Sequence, residues 1–288
     1  MLVRVGDVSL FVDVDGCGLV PDGDRMVSRP TLVLLHGGPG ADHSLFKPEF
    51  AAATDFAQVV YLDQRGSGRS DLGTPSTWTW AQWADDVADL CGVLGIERPY
   101  LVGTSSGGLV AMHCAARHPA LVAGLILDSA LGMPTTLAET LEVFTRVGGP
   151  AARDAAERFL GGDLSDEAAQ AWHQHALPVY GHDPVPRRAR ALINDDVQAQ
   201  FRAGDCGSPD VAEQAPAITC PTLILAGADD PVSPAVGAER LAALLVNAPA
   251  TAHVLPGIGH GVFRQDPERA FALLRAFLAT SSGGNAGA

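Results

Sequence analysis

Ser105 lies in the sequence GTSSG at residues 103–107, after a short apolar run and before a helix-like stretch. This pattern predicts a strand, a sharp turn that carries the serine, and a helix. Glycine at positions 103 and 107 leaves no side chain where the strand and helix backbones approach most closely. The turn exposes the Ser105 hydroxyl and directs helix amides toward it, so we interpret Ser105 as a nucleophile for covalent catalysis.

A serine hydroxyl is a weak nucleophile at neutral pH and needs a base that is itself held by a carboxylate. His260 is the candidate base, because it lies in the glycine-rich sequence PGIGHG at residues 256–261, directly after the last predicted strand. Asp230 is the candidate carboxylate, since it follows the apolar strand predicted at residues 222–226. Serine, acid and histidine then occur along the chain in the order that this arrangement requires.

Two other carboxylates remain candidates for the acid. Asp229 immediately precedes Asp230 and could instead cap the turn. Asp128 ends the strand predicted at residues 125–127, where a plain turn residue is also expected. We favour Asp230, which is followed by Pro231.

The sequence HGGPG at residues 36–40 follows another apolar run, at residues 31–35. Such a loop can aim a backbone N–H at the negative charge that develops on a carbonyl oxygen during acyl transfer. We predict the N–H of Gly38 as one donor of this oxyanion hole. The N–H of Ser106, at the start of the helix, is the predicted second donor. His36 is predicted to brace the loop without transferring a proton.

The sequence DQRGSGRS at residues 63–70 follows the apolar run at residues 59–62. Its glycines permit tight turns, and Asp63 and Arg65 can pair to fix this loop beside the site. We interpret the loop as structural, with a contact to the substrate as the alternative. His173 and His175 are two residues apart, so they do not share one face of a helix. We therefore predict no metal site, and the serine chemistry requires no cofactor.

Composition limits the partners. The chain has 288 residues, 47% of them hydrophobic, enough for a substantial core. Its formal net charge of −14 argues against nucleic acids and anionic membranes, which attract clustered lysine and arginine. No stretch reaches transmembrane length, a signal-peptide core is missing, and five dispersed cysteines indicate free thiols. We expect a cytoplasmic protein acting on a small molecule or short peptide; its oligomeric state is left open.

Short apolar runs alternate with helical segments along most of the chain. Residues 2–5 and 9–15 predict an antiparallel hairpin at a sheet edge, because residues 9–15 alternate between apolar and polar. Later runs are short and mostly continuous, as in strands covered on both faces; they lie at residues 31–35, 59–62, 100–102, 125–127, 222–226 and 253–255. The alternation predicts an α/β fold with a mostly parallel central sheet flanked by helices.

Three helix starts are marked by capping residues. Thr79 with Gln82 forms a capping-box pattern, and Gly95 marks the end of that helix. Ser233 followed by proline predicts a second start, and Asp266 followed by proline predicts a last helix that runs to residue 279.

The strand signal disappears between residues 131 and 215, where helical runs are separated by glycine and proline. We predict that residues 131–215 form an inserted helical lid over the strand ends. Residues 1–130 and 216–280 then form the core, and the small polar tail at residues 281–288 is expected to be disordered.

With these motifs together, the chain resembles the α/β-hydrolase superfamily. The sequence HGGPG at residues 36–40, with DQRG at residues 63–66, is similar to the prolyl aminopeptidase (proline iminopeptidase) family within it. The resemblance covers nearly the whole chain, best at about residues 30–130 and 215–280. It implies Ser105 as nucleophile, Asp230 as acid and His260 as base.

The resemblance also implies a substrate and its recognition. It implies an aminopeptidase or amidase that releases N-terminal residues through an acyl-enzyme, with lid carboxylates binding the substrate amino group. Four acidic residues of the lid segment are available, although none matches the family position by position: Glu139, Glu142, Asp195 and Asp196. The alternative is a carboxylesterase, lactonase or carbon–carbon bond hydrolase that uses the same three residues.

Overall fold

A computed structural model describes residues 1–163, 165–181 and 190–282. Its centre is an eight-stranded sheet with the strand order β1-β2-β6-β5-β7-β8-β9-β10, and β3 and β4 form a separate hairpin. The strands are Leu2–Val5 (β1), Val8–Asp15 (β2), Leu19–Asp22 (β3), Arg25–Ser28 (β4), Thr31–Leu35 (β5), Gln58–Asp63 (β6), Tyr100–Thr104 (β7), Gly124–Asp128 (β8), Thr222–Gly227 (β9) and Ala250–Leu255 (β10).

The sheet is antiparallel at one edge and parallel elsewhere. Strand β2 pairs antiparallel with both β1 and β6. The pairs from β6 through β5, β7, β8 and β9 to β10 are all parallel. The predicted edge hairpin and mostly parallel sheet are therefore confirmed. The carboxyl ends of β5 to β10 meet at one edge of the sheet, which is where ligands bind in such folds.

Helices lie on both faces of this sheet and in the segment between β8 and β9. The helices are Trp80–Leu94 (α1), Ser106–Arg117 (α2), Leu137–Leu160 (α3), Asp166–Ala171 (α4), Asp195–Ala203 (α5), Val236–Leu244 (α6), Val262–Gln265 (α7) and Pro267–Ser282 (α8). One hydrophobic cluster joins the sheet to α1, α2 and α6, and another joins it to α7 and α8.

Strand β5 shows why the central runs are apolar throughout. Val33 and Leu35 belong to the cluster on one face, and Leu32 and Leu34 belong to the cluster on the other. All four side chains are fully buried. Burial of each contributes about 1.5–3 kcal/mol of transfer free energy, so both faces of the strand stabilise the core.

Two of the three predicted helix starts are confirmed. The Thr79 hydroxyl accepts a hydrogen bond from the Gln82 N–H, and Gly95 ends α1 in the left-handed conformation with φ of 66°. At α8, Asp266 accepts a hydrogen bond from the N–H of Arg269. This last helix continues to Ser282, beyond the predicted end at residue 279.

The predicted helix start at Ser233 is wrong. Helix α6 begins at Val236, and its N-cap, Ala235, makes no side-chain capping bond. The reason is that the Ser233 hydroxyl donates instead to the carbonyl oxygen of Ser129, at 3.0 Å. A contact across the core therefore replaces the local one.

The segment between β8 and β9 is helical in its described part. Helix α3 is interrupted at Gly149, whose φ of 77° and ψ of −172° are not helical, and Pro150 follows this kink. A separate small hydrophobic cluster packs α3 against Trp172. His173 and His175 are both exposed. Of the predicted tail, Ser281 and Ser282 belong to α8, and residues 283–288 lie outside the described residues.

The hairpin of β3 and β4 was not among the predicted elements.

The five cysteines are free, as predicted, and only Cys17 is exposed. Burial raises the pKa of the Cys91 thiol to about 12 and that of Cys220 to about 11, so neither is a thiolate at neutral pH. Within the described residues, no helix combines the length and apolar character that crossing a bilayer requires.

Candidate active site

Ser105 occupies the turn between β7 and α2 in a strained conformation, with φ of 54° and ψ of −124°. A positive φ is uncommon for a residue with a side chain. The turn is possible because its neighbours are glycines. A Cβ on Gly107 would lie 1.9 Å from the carbonyl oxygen of Leu35, and one on Gly103 would lie 2.4 Å from the Gly107 oxygen. Both glycines are therefore required by close backbone contacts.

The loop at residues 36–40 packs directly against this turn. A Cβ on Gly37 would lie 2.8 Å from the Cβ of Ser105. Gly38 has φ of 127°, which favours glycine. Within the described part of the chain, the N–H groups of Gly38 and Ser106 donate no hydrogen bond. Both predicted oxyanion donors therefore remain available to a ligand.

His36 braces this loop, as predicted. It is buried, and its Nε2 accepts a hydrogen bond from the N–H of Gln64 at 3.1 Å. The side chain of Gln64 donates in turn to the His36 carbonyl oxygen at 2.8 Å. Burial lowers the pKa of His36, which keeps the ring neutral and able to accept.

Asp230 and His260 are in direct contact. The Nδ1 of His260 lies 3.0 Å from one carboxylate oxygen of Asp230 and 3.2 Å from the other. Asp230 is fully buried, and the N–H groups of Val232 and Ser233 donate to its Oδ1 at 2.8 and 2.9 Å. These bonds fix the carboxylate and leave the Nε2 of His260 to face away from it.

The other two candidate acids contact different partners. Asp229 forms an ion pair with Arg146 of α3, whose guanidinium also donates to the carbonyl oxygen of Ala228 at 2.7 Å. Asp128 accepts from Thr104 and from the N–H of Val262. Neither carboxylate bonds His260 within the described residues, so the geometry favours Asp230 as the carboxylate that orients the ring.

The predicted pair of Asp63 and Arg65 is wrong. Asp63 accepts from the ring and backbone of His43, at 2.7 and 2.8 Å, and from the N–H of Arg69 at 2.9 Å. Arg65 instead binds Asp86 of α1 through two bonds of 2.8 Å and also reaches Asp7. The positive φ values of Gly66 and Gly68 turn the loop, so Arg69 rather than Arg65 returns to Asp63.

Asp42, His43 and Asp63 form a buried cluster that the sequence did not indicate. Their ligand atoms lie within 4.8 Å of one another, as in some metal sites. The oxygens are already occupied, however, because Arg69 donates to Asp42 at 2.9 Å and both the hydroxyl and the N–H of Ser44 donate to it as well. We interpret the cluster as a brace for the loop at residues 63–70.

The segment between β8 and β9 contacts the loops of the site. The backbone carbonyl oxygen of Tyr180 accepts a hydrogen bond from the backbone N–H of His260 at 2.5 Å, and the two side-chain rings lie 5.6 Å apart. Asn194 donates from its backbone to Gly40 and from its side chain to Gly66, each at 2.8 Å. This helical segment thus bonds both the histidine loop and the predicted oxyanion loop.

Comparison with known proteins agrees with this geometry. Residues 30–267 match the family model described as the alpha/beta hydrolase fold. This chain belongs to the α/β-hydrolase family. Strands β5 to β10, the turn at Ser105 and the loops of Asp230 and His260 all lie wholly or almost wholly within the matched region.

Two curated relatives differ in their named activities. The protein named "Putative carbamate hydrolase RutD" of Variovorax paradoxus (strain S110) is 32% identical over 235 residues, which cover 79% of this chain and 84% of that protein. A proline iminopeptidase of Lactiplantibacillus plantarum is 28% identical over 234 residues, covering 74% of this chain and 80% of that protein. The predicted resemblance to proline iminopeptidases is confirmed, and it is shared with RutD proteins.

Solved structures support the same fold. A thermophilic esterase from Thermogutta terrifontis is 26% identical, with a TM-score of 0.69, and the match covers 98% of this chain and 99% of the esterase. This similarity extends over the described segment between β8 and β9 as well as the sheet.

The four acidic residues predicted to be available for a substrate amino group have other contacts or face solvent. Glu139 binds Arg240, which lowers its pKa to about 2, and also accepts from Thr136. Glu142, Asp195 and Asp196 are exposed. No described contact directs them toward Ser105.

Two cavities lie near these elements. The larger, of about 640 Å³, borders the residues after β8, and the N–H of Leu131 in its wall donates to the carbonyl oxygen of Ser105 at 2.9 Å. Its lining includes Leu131, Met133, Phe201, Val232 and Asp210. The other, of about 440 Å³, is lined by α3 alone, including Glu142. Of these two cavities, the larger one is lined in part by Val232 and Ser233 of the Asp230 loop.

Proposed function

We propose that this α/β-hydrolase is a serine hydrolase that acts through an acyl-enzyme on Ser105. The contact between buried Asp230 and the Nδ1 of His260 is the observation that carries the proposal. A histidine held in this way is oriented to accept a proton at Nε2. The strained turn of Ser105 also supports the proposal, as do the amides of Gly38 and Ser106, which donate to no other described residue.

In the first half of the reaction, the Ser105 oxygen attacks the substrate carbonyl carbon and its proton passes to His260 Nε2. Asp230 stabilises the resulting imidazolium. The carbonyl oxygen becomes an oxyanion and accepts hydrogen bonds from the N–H groups of Gly38 and Ser106, each worth about 3 kcal/mol in such sites. The bond from carbon to the leaving group then breaks, and His260 returns the proton to the leaving group.

In the second half, water replaces the leaving group. His260 removes a proton from the water as its oxygen attacks the acyl carbon. The bond from that carbon to the Ser105 oxygen breaks, His260 returns the proton to the serine, and a carboxylic acid leaves from an ester substrate or a carbamic acid from a carbamate. Both halves use the same base and the same oxyanion donors, and neither requires a cofactor.

We propose small, uncharged esters or carbamates as the preferred substrates. The cavity that borders the residues after β8 and the Asp230 loop supports this choice because most of the residues that line it are apolar, and its one arginine, Arg240, is neutralised by Glu139. The relatives named as carbamate hydrolases and the structurally similar esterase are consistent with it. We also propose that residues 131–215 act as a lid, since Tyr180 and Asn194 bond the loops of the site.

An aminopeptidase is the second candidate. The proline iminopeptidase relative supports it, and one observation in the cavity favours it. Asp210 lines that cavity and has no ion-pair partner among the described residues, so it could bind a substrate amino group. Glu139 is a weaker choice for this role because Arg240 already binds it.

A comparison of substrates tests the proposal. Initial rates would be measured with p-nitrophenyl acetate, an aryl carbamate, and the naphthylamides of proline and alanine. We expect turnover of the ester and the carbamate, and loss of at least about 10³-fold in Ser105→Ala. Turnover of the naphthylamides alone would favour an aminopeptidase over an esterase or carbamate hydrolase. Equal activity in the Ser105→Ala variant would contradict the serine mechanism.

A further inference from the structure

Asp128 and Ser129, which directly follow one another at the end of β8, are almost completely buried. Strand β8 lies between β7, which carries Ser105, and β9, which leads to Asp230. The pair therefore stands at the centre of the sheet edge where the three proposed catalytic loops begin.

Asp128 forms two hydrogen bonds with the strand side of the nucleophile turn. Its carbonyl oxygen accepts from the N–H of Ser105 at 3.1 Å, and its carboxylate Oδ2 accepts from the hydroxyl of Thr104 at 3.1 Å. The residue thus fixes the turn through its main chain and through its side chain.

The same pair bonds the two amides that follow His260. The N–H of Val262 donates to Asp128 Oδ1 at 2.7 Å, and the N–H of Gly261 donates to the Ser129 hydroxyl at 2.9 Å. Two consecutive backbone bonds set both the position and the direction of a loop. The loop that carries the base is thereby tied to the residue that holds the nucleophile.

Ser129 also bonds the acid loop. Its carbonyl oxygen accepts from the hydroxyl of Ser233 at 3.0 Å, and the N–H of Ser233 donates to Asp230. The conformation of Ser129 is unfavourable, with a positive φ of 47°. Strain of this kind persists only where surrounding contacts hold it, and it is found mainly at functional sites.

The burial of Asp128 also calls for a reason. Burial raises the pKa of this carboxyl, which shows that the folded protein disfavours its charge. An apolar residue at this position would be less costly to bury, but it could not accept hydrogen bonds from Thr104 and Val262. Asp230 already holds His260, so Asp128 is not needed as the acid of the site.

We propose that Asp128 and Ser129 are positioning residues, which hold the His260 loop at a fixed place relative to Ser105 through the bonds to Thr104, Gly261 and Val262. The inference rests on the proposed serine hydrolase function. The sequence suggested Asp128 only as an alternative acid, and it gave no indication of a role for Ser129.

Three variants separate positioning from stability. Asp128→Asn keeps an acceptor for Val262 and can donate to Thr104, whereas Asp128→Leu loses both bonds. Ser129→Gly relieves the positive φ but loses the acceptor for Gly261. We expect kcat for p-nitrophenyl acetate to fall about 10–100-fold in Asp128→Leu and Ser129→Gly, with KM changed less than about twofold, because small misplacements cost rate rather than affinity. Asp128→Asn should restore kcat to within about fivefold of wild type.

Melting temperature and amide exchange complete the test. Ser129→Gly should keep the wild-type melting temperature and yet exchange the Gly261 amide faster. Asp86→Asn, at a buried carboxylate of α1 that binds Arg65, is the control: it should lower the melting temperature without lowering kcat. If the wild type is active and Ser105→Ala is inactive, but Asp128→Leu and Ser129→Gly keep the wild-type kcat, the positioning role alone would be overturned. A wild type without any hydrolase activity would overturn the proposed function itself.

Discussion

At the scale of single residues, adjacent aspartates have opposite environments. Asp230 is fully buried against His260, whereas Asp229 is partly exposed and paired with Arg146. The chain therefore supplies a matched pair of variants. We expect Asp230→Asn to lower kcat by about 10³-fold or more, because the amide no longer stabilises the protonated ring. Asp229→Asn should change kcat less than about threefold. Steady-state kinetics with one ester measures kcat of both variants. A larger loss of kcat in Asp229→Asn than in Asp230→Asn would assign the role of the acid to Asp229.

The sequence predicts Ser105, Asp230 and His260 as site residues because a motif or a strand end marks each of them, and the structure brings Asp230 and His260 into contact. It did not predict the pairing of Asp63 with His43, since these residues are twenty positions apart in sequence and no local pattern joins them. The bonds of Ser129 could not be predicted either. They depend on a positive φ and on loops that follow three different strands.

At the scale of elements, the turn between β7 and α2 depends on Gly107. A Cβ there would lie 1.9 Å from a backbone oxygen of β5, which cannot rotate away. We expect Gly107→Ala to lower the free energy of unfolding by about 3 kcal/mol or more. Gly92→Ala is the control, because nothing lies within 4 Å of that site in α1. It should leave stability unchanged or raise it by about 0.5–1 kcal/mol. Urea denaturation measures the free energy of unfolding of both variants, and similar losses of stability in the two would contradict this expectation.

Helix α2 contains a second testable feature, His113. Its buried Nε2 has no hydrogen-bond partner within the described residues, and burial lowers its pKa below 6.5. The unfolded chain therefore binds a proton more readily, so stability is retained above pH 6.5 and decreases as the pH falls below it. We expect His113→Leu to reduce the stability lost between pH 8 and pH 5.5 by about 1 kcal/mol. Urea midpoints at both pH values measure this, and an unchanged loss would contradict it.

The element predictions were correct where local chemistry decides the outcome. Within the part of the chain that the structure describes, the side-chain oxygens of Thr79 and Asp266 bond residues of the helices that they begin. Ser233 failed as a helix start because its hydroxyl bonds Ser129, far away in sequence. A capping pattern in the sequence gives no sign of such competition.

At the scale of the whole molecule, charge should affect which substrates arrive. The formal net charge is −14, so the surrounding potential attracts cations and repels anions. For esters that differ only in a remote charged group, we expect kcat/KM of the cationic ester to fall several-fold between 10 mM and 500 mM NaCl, and that of the anionic ester to rise. A neutral ester should change little. Equal salt dependence for all three would contradict steering by the net charge.

The overall architecture could be predicted from the sequence because burial on both faces makes the central strands apolar throughout, as in β5. The two-stranded hairpin of β3 and β4 could not. Its residues are mostly exposed, so no apolar run marks them. The organisation of residues 131–215 as a lid remains a proposal, since it depends on motion and on contacts with a substrate.

The central claim is that Ser105 becomes the acylated nucleophile of a serine hydrolase. The most direct measurement is intact mass, followed by peptide mapping, after incubation of the protein at neutral pH with a fluorophosphonate. We expect one phosphonyl adduct, located on the peptide that contains Ser105 and missing in Ser105→Ala. An unmodified wild type, or an adduct that persists in Ser105→Ala, would contradict it.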